Sequence, residues 1–147
     1  MTEKQSNWRH YQTRQSGGCT VLEAGNERLV DYDMGIVETG RTHVFSGYFF
    51  RVTLADDDKI VAEDGASMIA ALWRLARNLS ARGLRLRCAG MSGEWRESGL
   101  SQNTGWGYFG PHQQPMHIMD DMPEDGADDA LDRAIREAVD GMNIGLV

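Results

Sequence analysis

The sequence predicts an α+β fold: a single domain over residues 19–147 with a mostly antiparallel sheet, one central helix at about 65–82 and a C-terminal helix at about 127–140. Apolar residues at helical spacing between Asp64, a candidate N-cap, and Gly83, a candidate stop, predict the central helix. They are Met68, Leu72, Leu75 and Leu79. Apolar residues alternating with a period of two before and after it predict strands. A chain of 147 residues has the length of one ordinary domain.

The beginning of the chain is polar and gives weak structural signals. Residues 1–18 contain only Trp8 and Tyr11 as large apolar groups, so we expect a partly ordered segment, either a short helix docked by this pair or a loose tail. Residues 19–39 contain short apolar runs that glycines interrupt, the second at Gly35. Two short strands with turns are therefore predicted there.

The strongest strand pattern covers residues 44–54. One face is predicted to carry Tyr48, Phe50, Val52 and Leu54, and the other Phe49, Arg51 and Thr53. The acidic triplet 56–58 then predicts a turn into a second strand at 59–62, which completes a hairpin. After the central helix, the alternation over residues 84–88 predicts another strand. The expected central unit is therefore strand, strand, helix, strand.

The last third of the chain is rich in glycine and then acidic. Residues 98–110 are expected to form an aromatic loop, with a short strand or aromatic turn at 106–109, and a last short strand is expected at 116–119. The C-terminal helix would begin after Asp125 and end at Gly141. Its apolar face would consist of Leu131, Ile135 and Ala138.

Composition narrows the range of functions. The formal net charge of −7 argues against nucleic acid as the main partner, because binding to phosphates requires a basic surface. No window approaches the ~20 apolar residues of a membrane span, and the first residues lack the apolar run of a secretory signal. Cys19 and Cys88 match no metal or redox spacing. We therefore expect a cytoplasmic protein with free thiols, and no cofactor.

Charge is segregated along the chain. Residues 65–93 contain five arginines and no acid, whereas residues 117–140 contain nine acids and two arginines. Either these regions neutralise each other within the fold, in which case Arg74 and Arg77 should lie near Asp128 or Asp132, or the acidic region faces a partner.

The histidines and carboxylates suggest a small metal-dependent or acid–base enzyme as one hypothesis. His112, His117 and Asp120, with Asp121 beside them, could supply nitrogen and oxygen ligands to a metal. Their spacing is not that of a helical ligand pair, so a polar loop is the competing interpretation. Cys88 has arginine neighbours in sequence, but strand alternation puts them on the opposite face, which favours a buried, unreactive thiol.

Protein binding is the alternative interpretation and the leading hypothesis. Aromatic residues are enriched at interface hot spots, and acidic surfaces steer cationic partners. The candidate anchors are Trp95, Trp106 and Tyr108. The candidate acids are Asp120, Asp121, Asp125, Asp128, Asp129 and Asp132.

The combination of a small acidic α+β domain, an aspartate-rich turn, the acidic stretch 120–140 and the aromatic loop 98–110 resembles the immunity proteins of bacterial toxin systems. That resemblance implies a non-enzymatic protein that binds a cognate toxin domain, often a basic nuclease, and neutralises it by covering it. Acidic secretion chaperones have a similar character. The basic region around Arg74 and Arg87 departs from a purely acidic inhibitor surface.

Overall fold

The computed structural model describes residues 8–97 and 102–121, which form two antiparallel sheets, one α-helix and two short 3-10 helices. The strands are β1 (Arg9–Glu23), β2 (Asn26–Thr39), β3 (Val44–Thr53), β4 (Lys59–Asp64), β5 (Leu84–Arg87), β6 (Trp95–Arg96), β7 (Trp106–Phe109) and β8 (Gln114–His117); the helix α1 is Met68–Ser80. This confirms a mostly antiparallel sheet with one central helix. The predicted C-terminal helix at 127–140 lies outside the described residues. No helix in the described part of the chain has the length and apolar character needed to cross a membrane.

The larger sheet has five strands in the order β4-β3-β2-β1-β5. The predicted unit of strand, strand, helix and strand corresponds to β3, β4, α1 and β5. Because β4 and β5 lie at opposite edges, α1 has to cross one face of the sheet between them. Its apolar stripe is buried against that face, as predicted: the buried helix residues are Met68, Ala71, Leu72, Leu75, Ala76 and Leu79.

The start of α1 differs from the prediction by one turn of chain. Ser67, not Asp64, is the N-cap, and its hydroxyl accepts a hydrogen bond from the Ala70 amide at 3.2 Å. The Asp64 carboxylate instead accepts from the amides of Ala66 and Ser67, at 2.8 and 3.0 Å. Asp64 therefore forms the turn that leads into the helix, and Ser67 satisfies one of the helix's first amides.

The prediction for the first residues was wrong where the structure describes them. Residues 9–18 form neither a helix nor a tail, but the first part of β1, which pairs with β2 from Arg9–Thr39 to Glu23–Asn26. The predicted break at Gly35 is also absent, since Gly35 lies inside β2 opposite a bulge in β1. A Cβ there would overlap the Gln12 carbonyl. Residues 9–18 form a strand because they pair with β2. Their own sequence has too few apolar residues to show a strand pattern, and it does not indicate β2 as the partner.

The larger sheet curls so strongly that β1 reaches β4, although β2 and β3 lie between them. The Tyr11 hydroxyl donates to Glu63 at 2.5 Å, and Arg9 forms an ion pair with Glu63 at 2.6 Å. Bulges in the β1–β2 and β2–β3 pairings allow this curvature. The ring of Tyr11 packs edge-on against Phe49, which is fully buried. Phe49 and Phe50 are therefore both buried, on opposite faces of β3.

The smaller sheet, β6-β7-β8, is joined to the core by the chain on either side of it. The Ala89 amide donates to the Asp120 carbonyl, and the Gly90 amide to the Ile118 carbonyl, both at 2.8 Å. Ile118 and Met119 are buried in the main core. The predicted strand at 106–109 is confirmed as β7, whereas the last described strand, β8, begins and ends two residues before the predicted 116–119.

Candidate functional site

The outer surface of the smaller sheet carries large exposed aromatic side chains. Trp106 is 50% exposed and Tyr108 is 41% exposed, and they are separated by one residue on the middle strand, β7. Tyr108 lies opposite Arg96 of β6 and Pro115 of β8, both of which are exposed. We call this surface, made of Arg96, Trp106, Tyr108 and Pro115, the aromatic face.

The inner surface of the same sheet is packed on the core. Trp95 is only 6% exposed, and its indole N–H donates to the Met116 carbonyl at 2.9 Å. Gly107 lies against it, since a Cβ at this position would come within 2.7 Å of the Trp95 ring. Trp95 is therefore a core residue, so its side chain lacks the exposure that its predicted role as a partner-binding anchor would require. Trp106 and Tyr108, by contrast, are accessible.

A buried histidine supports the exposed tryptophan. The rings of His117 and Trp106 meet edge to face with centroids 5.1 Å apart. His117 Nδ1 accepts a hydrogen bond from the Met119 amide at 3.1 Å, which assigns the ring proton to Nε2. Nε2 faces Gly105 and has no hydrogen-bond partner among the described residues. Burial lowers the pKa of His117, and the nearby charge of Asp120 opposes that effect only in part.

The candidate metal ligands do not converge in the described part of the chain. Asp120 accepts a hydrogen bond from the backbone amide of His117 at 2.9 Å, and His117 Nδ1 is already occupied by the Met119 amide. His112 lies in the exposed turn between β7 and β8. Within residues 8–97 and 102–121, no group of three or more histidine, cysteine or acidic side chains is arranged to hold a metal ion.

A groove of about 600 Å³ runs beside Tyr108. It is lined by Gly93, Glu94, Arg96, Glu97, Tyr108, Gly110, Pro111 and Gln113. The Glu97 carboxylate accepts from the Asn103 amide at 2.5 Å, and the Asn103 side chain in turn accepts from the Met68 amide at 2.9 Å. This chain of hydrogen bonds connects the groove to the first residue of α1, so one wall of the groove is positioned by the central helix.

The predicted partner-binding acids are found in different situations. Asp120 is exposed, and through His117 it lies near the Trp106 end of the aromatic face. Asp121 forms an ion pair with Arg87 at 3.2 Å, and Glu27 pairs with the same guanidinium at 2.6 Å. Arg87 is only 8% exposed, so Asp121 neutralises a nearly buried cation. The remaining predicted acids, Asp125, Asp128, Asp129 and Asp132, lie outside the described residues.

Acids close in the fold neutralise part of the basic region. Arg74 pairs with Asp64 at 3.2 Å and Arg82 with Asp58 at 2.6 Å, in addition to the contacts of Arg87. Asp64 lies in β4, Asp58 just before it, Glu27 in β2 and Asp121 after β8. The charge count along the chain did not predict this distribution. Whether Arg74 and Arg77 approach Asp128 or Asp132 concerns residues that the structure does not describe.

Sequence reasoning missed Arg96, Pro115 and Asn103 as parts of this region. A signal for the first two was present, because the alternation of Trp106, Gly107 and Tyr108 is that of a strand with one bulky face and one flat face. Asn103 carried no such signal, because the residue that it contacts, Met68, lies 35 positions earlier in the sequence. No protein-family model and no curated protein matches this chain, so the candidate site rests on the geometry of its own residues.

Proposed function

We propose that this protein is a non-enzymatic binding module for another protein, and that the aromatic face is its docking surface. The observation that carries the proposal is the outward position of Trp106 and Tyr108 on the middle strand of a sheet whose other face is fixed to the core. Tryptophan, tyrosine and arginine are the residues most enriched at interface hot spots, and a rigid support lowers the entropic cost of binding.

A basic protein domain is the partner that the surrounding charges favour. Glu94 and Glu97 line the groove beside Tyr108, and Asp120 lies near Trp106, so carboxylates flank the aromatic face on two sides. Arg96 is the cation within it. The net charge of −7 adds long-range attraction toward a cationic surface, which increases the association rate most strongly at low salt.

The more specific form of the proposal is that the protein is a bacterial immunity protein that covers and inhibits a basic toxin domain. The resemblance in size, charge and aromatic content supports it. An acidic secretion chaperone is the second form, and the two differ in what they bind: an immunity protein recognises a folded toxin domain, whereas a chaperone recognises an extended segment of its client. A metal-dependent enzyme using His112, His117 and Asp120 gains no support from the contacts of these residues.

Binding to a basic toxin domain, taken from a gene next to this one where such a gene is present, tests the proposal. Isothermal titration at low salt should detect a complex with the purified, catalytically inactivated domain. Trp106→Ala and Tyr108→Ala should each weaken it by about thirtyfold or more, the ~2 kcal/mol that defines a hot spot.

Phe45→Ala provides the matched control, because Phe45 is also 50% exposed but lies on β3 of the larger sheet. It should leave the affinity unchanged. No complex at low salt would refute the toxin partner, and equal losses in all three variants would refute the aromatic face as the docking surface. Binding to an unfolded toxin segment but not to the folded domain would favour a chaperone.

A further inference from the structure

The two cysteines lie 69 positions apart in the sequence, yet each directly adjoins the paired segments of β1 and β5. β1 and β5 pair in antiparallel register, with Val21 opposite Leu86 and Thr20 opposite Arg87. The paired register ends at Thr20 and Arg87, and one further step along both strands would bring Cys19 opposite Cys88. The backbone of Cys88 is still extended there, with φ of −149° and ψ of 165°, so the geometry of the strand continues through it.

The two side chains also point to the same side of the sheet. Neighbouring residues alternate between faces, so Cys19 shares the face of Val21, and Cys88 shares that of Leu86. All four are buried in one hydrophobic core cluster. The electrostatic influence of Cys19 on Cys88, one of the effects that raise the pKa of Cys88, is a second indication that the thiols are close.

Directly opposed residues in an antiparallel pair have Cα atoms about 4.5–5.5 Å apart, within the range of about 4.4–6.8 Å that a disulfide spans. We propose that Cys19 and Cys88 are a redox-active pair, free in the reduced protein, which closes to an intramolecular disulfide under oxidised glutathione and then links β1 covalently to β5. This site is independent of the aromatic face.

The reaction is an ordinary thiol–disulfide exchange. One cysteine thiolate attacks a sulfur of glutathione disulfide, forms a mixed disulfide and releases one glutathione thiolate. The second cysteine thiolate attacks the protein sulfur of that mixed disulfide and releases the second glutathione. Overall, two protein thiols are oxidised, one glutathione disulfide is reduced to two glutathione molecules, and the two cysteine protons end on the released thiolates.

Burial controls the rate of this exchange. It raises the pKa of the Cys19 thiol to about 12 and also raises the pKa of the Cys88 thiol, so very little thiolate exists near neutral pH. Both side chains are also buried in the folded protein. Exchange must therefore wait for local opening of the β1–β5 edge. We therefore expect the disulfide to form over hours after a change in the glutathione redox state, too slowly for rapid redox sensing.

The test is to equilibrate the full-length protein in glutathione redox buffers, once in native conditions and once in concentrated urea, and to quench with acid. Intact mass should show the loss of two hydrogen atoms, and peptide mapping should show a Cys19–Cys88 link. The equilibrium constant for ring closure should be at least tenfold larger in native buffer than in urea, because the fold holds the thiols in position. For the native sample, the protein is first incubated in the redox buffer with urea just below its unfolding midpoint and then returned to native redox buffer. This step lets thiol–disulfide exchange reach equilibrium even if the β1–β5 edge opens slowly.

The double variant Cys19→Ala with Val21→Cys is the matched control. It encloses a loop of nearly the same length but moves the thiol opposite Leu86, so the ratio between native buffer and urea should fall toward one. The proposal is overturned if the unaltered protein gives a ratio of one or less, retains two free thiols at equilibrium, or accumulates mixed disulfides or covalent dimers in place of the internal link.

Discussion

At the scale of single residues, His117 connects the core to the aromatic face. The residue is only 2% exposed, and its ring meets the Trp106 ring edge to face. Its Nδ1 accepts a hydrogen bond from the Met119 amide only while the ring is neutral. Protonation would turn Nδ1 into a donor and place a positive charge in the core. Protonation of His117 would therefore also place a charge next to the Trp106 ring.

This arrangement predicts that stability falls as the pH falls below about 6.5. Burial lowers the pKa of His117 in the folded state, so the unfolded chain takes up the proton first, and folding loses about 1.4 kcal/mol per pH unit between the two pKa values. Above the unfolded pKa this contribution is fully present. His117→Gln should flatten the profile of unfolding free energy between pH 7 and 5, as measured by urea titration.

His112→Gln is the control, because His112 lies in the exposed turn between β7 and β8. Its profile should keep the slope of the unaltered protein. A profile in which His117→Gln keeps the full slope, or in which both variants lose the same amount, would assign the pH dependence to other groups.

At the scale of elements, the smaller sheet depends on close packing between β7 and the Trp95 ring. Gly107→Ala would put a methyl group against that ring and against the Arg96 carbonyl, so overpacking should destabilise the protein by about 1–3 kcal/mol. Chemical denaturation measures the loss, and the exposure of Trp95 should shift its fluorescence emission to longer wavelength. Gly93→Ala is the matched control, since nothing lies within 4 Å of its added Cβ, and a comparable loss there would contradict the packing explanation.

The elements that could be predicted are those whose information is local. Leu72, Leu75 and Leu79 repeat at helical spacing, so α1 is visible in the sequence without its partners. The first half of β1 has no such pattern. It becomes a strand because β2 pairs with it along its whole length, and pairing between strands depends on residues distant in sequence.

The candidate site shows the same limit. Trp95 and Trp106 both have glycines close to them in sequence, and nothing local shows that one points inward and the other outward. Only the three-stranded pairing of β6, β7 and β8 decides it. The opposition of Cys19 and Cys88 was likewise not predictable, because the spacing of cysteines in sequence carries no information about strand register.

At the scale of the whole molecule, the curvature of the larger sheet brings residues from distant strands into one polar cluster. Glu63 of β4 receives both Tyr11 and Arg9 of β1. Arg51 pairs with Asp33, and its guanidinium lies over the Tyr11 and Phe49 rings at 5.5 and 5.3 Å. Burial alone would raise the pKa of Asp33, but hydrogen bonds from Arg51 and Thr13 lower it overall. The cluster thus covers the buried Phe49 with polar side chains whose own hydrogen-bonding groups have partners.

If this cluster holds the curled sheet together, its members should act as a unit. Glu63→Gln removes the charge that both β1 residues contact and should cost about 1–3 kcal/mol of unfolding free energy, because it weakens charge-assisted hydrogen bonds that are partly shielded from solvent. Tyr11→Phe removes one of those bonds, so the double variant should lose less than the sum of the single losses. Urea denaturation of the four proteins gives the coupling directly.

Glu23→Gln is the control, since the Glu23–Arg28 pair is exposed and should contribute less than about 0.5 kcal/mol. Additive losses would show that β1 and β4 meet without stabilising each other, and the curvature would then have to come from the bulges alone.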